Sequence, residues 1–271
     1  MIDVAGLSLH VLEEGRGAPV ILLHGFPDTS HLWRHQIPAL VRGGYRAIAP
    51  DLRGRGRTGR PTGVADYALP LIVNDVVGMM DALRIERAHV VGHDWGAAVA
   101  WILASMQPHR VNRLAALSVG FPGAALPPRL DALQKGWYRL LFQLAGVAEE
   151  LLQRDGWYLL RELLQSYADL EHALEDLARP GALTAALNWY RANLPADRLL
   201  GPAPPLPPVR APTLGIWSTG DAYLTEETMT RSRDRVTGPW RYERIEGASH
   251  WIPLDAPDRL NEVLLGFLGE R

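Results

Sequence analysis

An aspartate sits at position 94, in the middle of Gly92-His93-Asp94-Trp95-Gly96. The run Val90-Val91-Gly92-His93-Asp94-Trp95-Gly96-Ala97-Ala98 reads as a buried strand turning sharply into a helix. That is the layout of a nucleophile elbow, whose middle residue is usually a serine. The glycines permit the tight backbone and leave the middle side chain exposed above the sheet. A carboxylate there is already ionised near neutral pH. It gains little by attacking a carboxylic ester, because the anhydride formed is as reactive as the ester it replaced. It is well suited to displacing a leaving group from saturated carbon, which leaves an alkyl ester on the protein. The expectation therefore moves from ester cleavage to hydrolysis of an epoxide or an alkyl halide.

Such a nucleophile needs a water activator, and the order nucleophile, acid, histidine supplies one. Thr219-Gly220-Asp221 follows a strand expected at Thr213–Ser218, and Gly247-Ala248-Ser249-His250-Trp251 follows another at Trp240–Ile245. Taken singly, Asp221 reads as a turn former after glycine and His250 as an ordinary loop histidine. All three at strand ends, where open α/β sheets assemble their sites, form a set. In it Asp94 attacks, and a neutral His250, oriented by Asp221, draws a proton from the water that hydrolyses the ester. The developing oxyanion needs preorganised donors. The backbone N–H groups of Trp95 and of Phe26, in His24-Gly25-Phe26-Pro27, are the candidates. Pro27 contributes no N–H, and a cis Phe26–Pro27 bond would aim the Phe26 amide.

The elements that must hold these residues alternate strand and helix. Residues 7–13 alternate apolar and polar as a half-buried strand, and residues 19–23 are a continuous apolar run. Ser30 is placed to cap a helix reaching about residue 41, which Gly43-Gly44 closes. Strands are expected at 45–49, 88–91 and 114–119, and helices at 69–83 and 97–106. Beyond Phe121 the rhythm changes to leucine- and alanine-rich helical segments over residues 126–200, closed by the proline-rich run at 201–208. Strands resume at Thr213–Ser218 and Trp240–Ile245, with a final helix at Pro257–Leu268. The expectation is an α/β class chain with a mostly parallel sheet. Residues 1–122 and 209–271 form the core, and 123–208 form a helical cap with a proline-rich return linker.

Bulk properties set the outer limits. With 271 residues the chain can fill one large domain with a modest insert. A net charge of −2 suggests neither nucleic acid nor an anionic membrane surface as partner. Lys135 is the lone lysine, read as a compositional habit that favours arginine. The absence of cysteine excludes disulfides and thiolate catalysis. No apolar stretch approaches the roughly 20 residues that span a bilayer. With no signal-peptide pattern at the start, a cytoplasmic protein is the expectation.

His24-Gly25-Phe26-Pro27, Asp51-Leu52-Arg53-Gly54, the elbow, Leu187-Asn188-Trp189-Tyr190-Arg191, Gly220-Asp221 and His250-Trp251 together resemble the epoxide hydrolases of the α/β-hydrolase fold. The resemblance covers nearly the whole chain, cap included. It implies that Tyr190 binds and protonates the epoxide oxygen, with Tyr138 as its partner and Tyr158 the other candidate. It also implies a small apolar epoxide and water as reactants, with Phe26, Trp95 and Trp251 against the substrate and no cofactor. Two other readings stand beside it: a dehalogenase using the same nucleophile, with Trp95 cradling the halide, and a non-catalytic binder. Dehalogenases that resemble this elbow carry asparagine at the place of Phe26, or an acid after the strand before the cap, or an arginine in place of Trp95. Here Leu117-Ser118-Val119-Gly120 offers no carboxylate.

Other signals are discounted. Gly54-Arg55-Gly56-Arg57-Thr58-Gly59 matches a dinucleotide fingerprint, but no helix opens on it. Arg53, Arg55, Arg57 and Arg60 read as a solvated loop. His24 and His93 are expected to bond loop backbone, and no metal-ligand spacing is present.

Overall fold

The computed structural model describes residues 1–123, 129–195 and 205–270. Nine strands are found among them: β1 (Ile2–Val4), β2 (Leu7–Leu9), β3 (Val11–Gly15), β4 (Ala18–Leu23), β5 (Tyr45–Pro50), β6 (Ala88–His93), β7 (Val111–Leu117), β8 (Thr213–Ser218) and β9 (Trp240–Ile245). β1 and β2 form a separate antiparallel pair. The other seven form one sheet in the order β3-β5-β4-β6-β7-β8-β9, parallel throughout except where β3 meets β5. The central strands are continuous apolar runs because helices cover both faces.

After β4 the chain adds β5 on one side and then β6 on the other, so the sheet's winding reverses between β4 and β6. Loops leaving adjacent strands at such a point diverge and open a crevice. Leu23 pairs with Gly92 at the ends of these strands, so the loops carrying Phe26 and Asp94 start side by side.

The helices are α1 (Gln36–Arg42), α2 (Leu69–Ala82), α3 (Trp95–Met106), α4 (Leu130–Lys135), α5 (Tyr138–Phe142), α6 (Val147–Leu163), α7 (Leu170–Leu177), α8 (Ala182–Asn193), α9 (Glu226–Arg231), α10 (Ile252–Asp255) and α11 (Pro257–Leu268). Helices α4 to α8 lie between β7 and β8, as the change of rhythm predicts. α6 is broken where Asp155, Gly156 and Trp157 take φ of 51°, 68° and 68°. Of the proline-rich run, residues 201–204 lie outside the described residues; 205–208 carry no regular structure. No helix among the described residues is long and apolar enough to cross a membrane.

Two elements differ from the sequence reading. The alternation over 7–13 is two strands, because His10 leaves the ladder: its N–H bonds Thr58 Oγ1 at 2.9 Å and its ring bonds Asp51. The helix expected from Ser30 is a short 3-10 turn, Ser30–Trp33, with Thr29 as its cap. The Ser30 N–H is held by Asp51 Oδ1 at 2.8 Å instead. Helix α1 then starts afresh at Gln36, with Pro38 in the first turn, where its missing N–H costs nothing.

Candidate active site

The β6–α3 junction holds Asp94 at φ 52° and ψ −121°, a conformation rare for a residue with a side chain. The neighbouring glycines make it possible. A Cβ at Gly92 would lie 2.3 Å from the Gly96 carbonyl oxygen, and one at Gly96 would lie 2.0 Å from that of Leu23. A Cβ at Gly25 would fall 2.2 Å from Asp94 Oδ1. The nucleophile candidate thus sits against the loop after β4. The Phe26 N–H donates to Asp94 Oδ1 at 2.7 Å, and the Phe26–Pro27 peptide is cis.

The acid and the histidine come from adjacent strand ends, β8 and β9, and their loops are knitted together. The Gly220 N–H donates to the Ala248 carbonyl at 3.0 Å, an approach with no room for a Cβ at Gly220. Ser218 Oγ donates to the Ser249 carbonyl. Asp221 Oδ1 accepts the N–H groups of Tyr223 and Leu224 at 2.8 and 2.9 Å, and its Oδ2 faces His250 Nδ1 at 2.8 Å. The His250 carbonyl is held by His93 Nε2 at 2.9 Å and Ser118 Oγ at 3.1 Å. This leaves His250 Nε2 pointing at Asp94 Oδ2, 3.7 Å away. Ser118 thus braces the histidine loop.

Burial alone would lower the His250 pKa, but Asp221 and then Asp94 raise it to about 10. With Asp94 ionised, the resting imidazole is therefore a cation between two carboxylates. Burial likewise works against ionising Asp94 and Asp221, yet His250 and the backbone N–H donors hold both below the usual carboxylate range. His24 and His93 are neutral, since burial lowers them to about 4 and about 3. Both bond loop backbone, as expected from the sequence.

Phe26, Asp94, Tyr138, Tyr190, His250 and Trp251 line one cavity, closed by Leu163, Leu164 and Tyr223. Its free volume is about 20 Å³, room for roughly one water. Tyr138 and Tyr190 meet edge to face, ring centroids 6.0 Å apart. Burial raises both phenol pKa values, and the Asp94 charge adds to the rise, so both hydroxyls stay protonated near neutral pH. Tyr158 is 62% exposed, which removes it from this group. Trp95 is not in the lining: its indole packs behind Tyr190, at 5.0 Å, and against Trp189 at 5.8 Å.

The arginine loop is not the solvated run expected. Arg55 is buried beneath the Phe26 ring, its Cζ 5.1 Å from the centroid, and Arg53 makes a two-pronged pair with Asp75. Asp51 organises the turn by accepting the Arg57 N–H and the His10 ring. Among the described residues no group of three His, Cys, Asp or Glu side chains is arranged to hold a metal.

Sequence reasoning missed Tyr223 and Asp28. Tyr223 carries no motif signal beyond its place two residues after Asp221. Asp28 is adjacent to the Phe26-Pro27 loop and is buried. The Tyr167 hydroxyl donates to its Oδ1, while Oδ2 has no hydrogen-bond partner among the described residues. Burial pushes its carboxyl up to about 7, against the Tyr167 hydrogen bond. A carboxyl that holds its proton more tightly when folded stabilises the fold at low pH and loses that contribution as pH rises through the folded value. Asp28→Asn keeps an acceptor for Tyr167 and cannot ionise. Its unfolding free energy is expected to match the parent near pH 4 and to exceed it above pH 8 by up to about 4 kcal/mol. Denaturant melts at the two pH values check this; parallel behaviour at both would remove the raised carboxyl.

Comparison with known proteins agrees with this geometry. Residues 18–257 match the family model described as the alpha/beta hydrolase fold. The chain is 34% identical to epoxide hydrolase A of Mycobacterium tuberculosis, covering 99% of this chain and 96% of that protein. It is 33% identical to an AB hydrolase superfamily protein of Bacillus subtilis, covering 98% and 96%. The crystal structure of a Bacillus megaterium epoxide hydrolase with an inhibitor superposes with a TM-score of 0.90 at 27% identity, over 99% of both chains. An aspartate elbow opposite a histidine and two phenols, on a chain so matched along its length, belongs to the epoxide hydrolases of the α/β-hydrolase fold.

Proposed function

We propose that this chain opens an apolar epoxide through a covalent ester on Asp94 and hydrolyses that ester to a vicinal diol. One observation carries the reading: the two oxygens of a single carboxylate have different surroundings. Oδ1 accepts the Phe26 N–H at 2.7 Å, while Oδ2 stands 3.7 Å from His250 Nε2, in a cavity that two phenols also line.

In the first step Oδ2 attacks a ring carbon, the ring C–O bond breaks, and its electron pair goes to the epoxide oxygen. Tyr190 and Tyr138 meet that oxygen with hydrogen bonds and a proton. The proton count then closes. Resting His250 carries one proton, and the new alkoxide needs one. With Asp94 neutralised as an ester, one of the two carboxylates that raise the His250 pKa is gone, and the imidazole becomes a usable base. In the second step His250 takes a proton from water, whose oxygen attacks the ester carbonyl carbon. Oδ1 becomes the oxyanion, held by the Phe26 and Trp95 N–H groups. Collapse releases the diol with Oδ2 and returns Asp94⁻ and His250⁺.

On this reading residues 1–122 and 209–271 form the catalytic core and 123–208 the cap that supplies the phenols. A cavity of about 20 Å³ is too small for an aryl epoxide as it stands, so its walls must move on binding. Dehalogenation is the weaker reading, since Trp95, its halide donor, packs behind Tyr190. The test is a single turnover in ¹⁸O-water with enzyme in excess. The diol is expected to carry no ¹⁸O, while the peptide containing Asp94 gains the isotope. Label in the first-turnover diol would mean direct attack by water.

A further inference from the structure

The lone lysine of a chain that otherwise uses arginine reaches out of the cap to the acid of the catalytic set. Lys135 ends α4, and its Nζ donates to the backbone carbonyls of Asp221 and of Leu224, the latter at 3.1 Å. The segment between those two carbonyls is the one whose N–H groups fix Asp221 Oδ1. A second link runs the other way, from the Tyr223 hydroxyl to the Leu163 carbonyl of α6. Four consecutive residues of the acid loop are thus clasped between two cap helices. A compact ammonium suits this place: it carries three rotatable donors on one nitrogen and meets two converging carbonyls with them.

We infer that Lys135 is a positioning residue which, with the cap seated, holds the Asp221–His250 pair in line for hydrolysis of the ester. The inference rests on the Asp94-ester reading above. Alkylation uses Asp94 and the phenols at the reacting atoms, none of which Lys135 touches, and His250 only as the source of their proton. Hydrolysis uses His250, whose Nδ1 is steered by Asp221, whose loop Lys135 ties down. The two half-reactions should therefore respond differently to its loss.

The test measures ester formation and ester decay separately, by quenched single turnovers and mass spectrometry of the Asp94 peptide. Lys135→Met is expected to leave alkylation within about twofold and to slow ester decay roughly tenfold, the scale of a lost charge-assisted hydrogen bond. Lys135→Arg, which restores donors in a different shape, should recover part of the decay rate. Should Lys135→Met fail to fold, Lys135→Gln, with a shorter neutral donor, takes its place. Unchanged decay overturns the inference. So does equal slowing of both steps, which is the mark of general destabilisation. His250→Gln run in parallel separates this from the underlying mechanism. No ester in that variant removes the Asp94 reading itself, whereas ester there with normal decay in Lys135→Met removes only the role of Lys135.

Discussion

Replacing His250 with glutamine is expected to stop the enzyme after one ester per molecule. Steady-state diol formation should fall roughly 10³-fold, the usual scale for loss of a general base. The peptide containing Asp94 should gain the mass of the substrate and keep it. Glutamine is chosen because its amide donates to Asp221 Oδ2, which would otherwise be left buried with no partner on that oxygen. Asp94 loses the His250 cation that offsets its burial and keeps the Phe26 N–H on Oδ1, so its carboxyl pKa rises and alkylation is best followed above neutral pH. The phenols still face the epoxide, but the proton that His250 would return to them must come from solvent, so alkylation is slowed and still outruns hydrolysis. Hydrolysis stops, because nothing in the cavity replaces the imidazole as a base. Tyr138, Tyr190 and Tyr223 remain protonated far above neutrality, burial raising the pKa of each. Consumption of epoxide with an unmodified Asp94 peptide would end the covalent mechanism.

The sequence exposed the elbow, the acid and the histidine because each is a local backbone event. A strand, a glycine and a loop are written in consecutive residues. The strand before the acid was equally legible: β8 falls on the expected residues, since burial on both faces leaves a largely apolar run, and the edge strand β9 falls on its expected residues too. The charged loop after β5 was misread for the opposite reason. Whether Arg53 and Arg55 are solvated depends on Asp75 and on the Phe26 ring, which lie 22 and 29 positions away. Lys135 was set aside as composition, because its acceptors lie 86 and 89 residues further on. Likewise the charge of the resting His250 depends on a second carboxylate, Asp94, far off in sequence. Only the meeting of β6 with β9 loops puts Asp94 within ion-pair distance of His250.

The choice between Tyr138 and Tyr158 has the same origin and leads to the second large effect. Trp137-Tyr138, Trp157-Tyr158 and Trp189-Tyr190 are alike in sequence, and only helix packing turns two of the phenols inward. Tyr190→Phe is expected to slow alkylation by an epoxide about 10²-fold, and the double change with Tyr138→Phe by about 10⁴-fold, the range for loss of general acid catalysis. Phenylalanine keeps the ring contacts of Tyr190 with Trp95 at 5.0 Å and Phe142 at 4.9 Å, so the cavity wall survives. An activated alkyl halide forms the same ester on Asp94 but departs as a stable anion that needs no proton. Its alkylation rate should change little in either variant, which separates proton donation from a disturbed nucleophile. Tyr158→Phe, at the surface, should change neither rate. Equal slowing with epoxide and halide would instead mean that the phenols only shape the site. The ring-opening step would then lack its acid, leaving a bare alkoxide in a cavity whose other donors already serve Asp94 and Asp221.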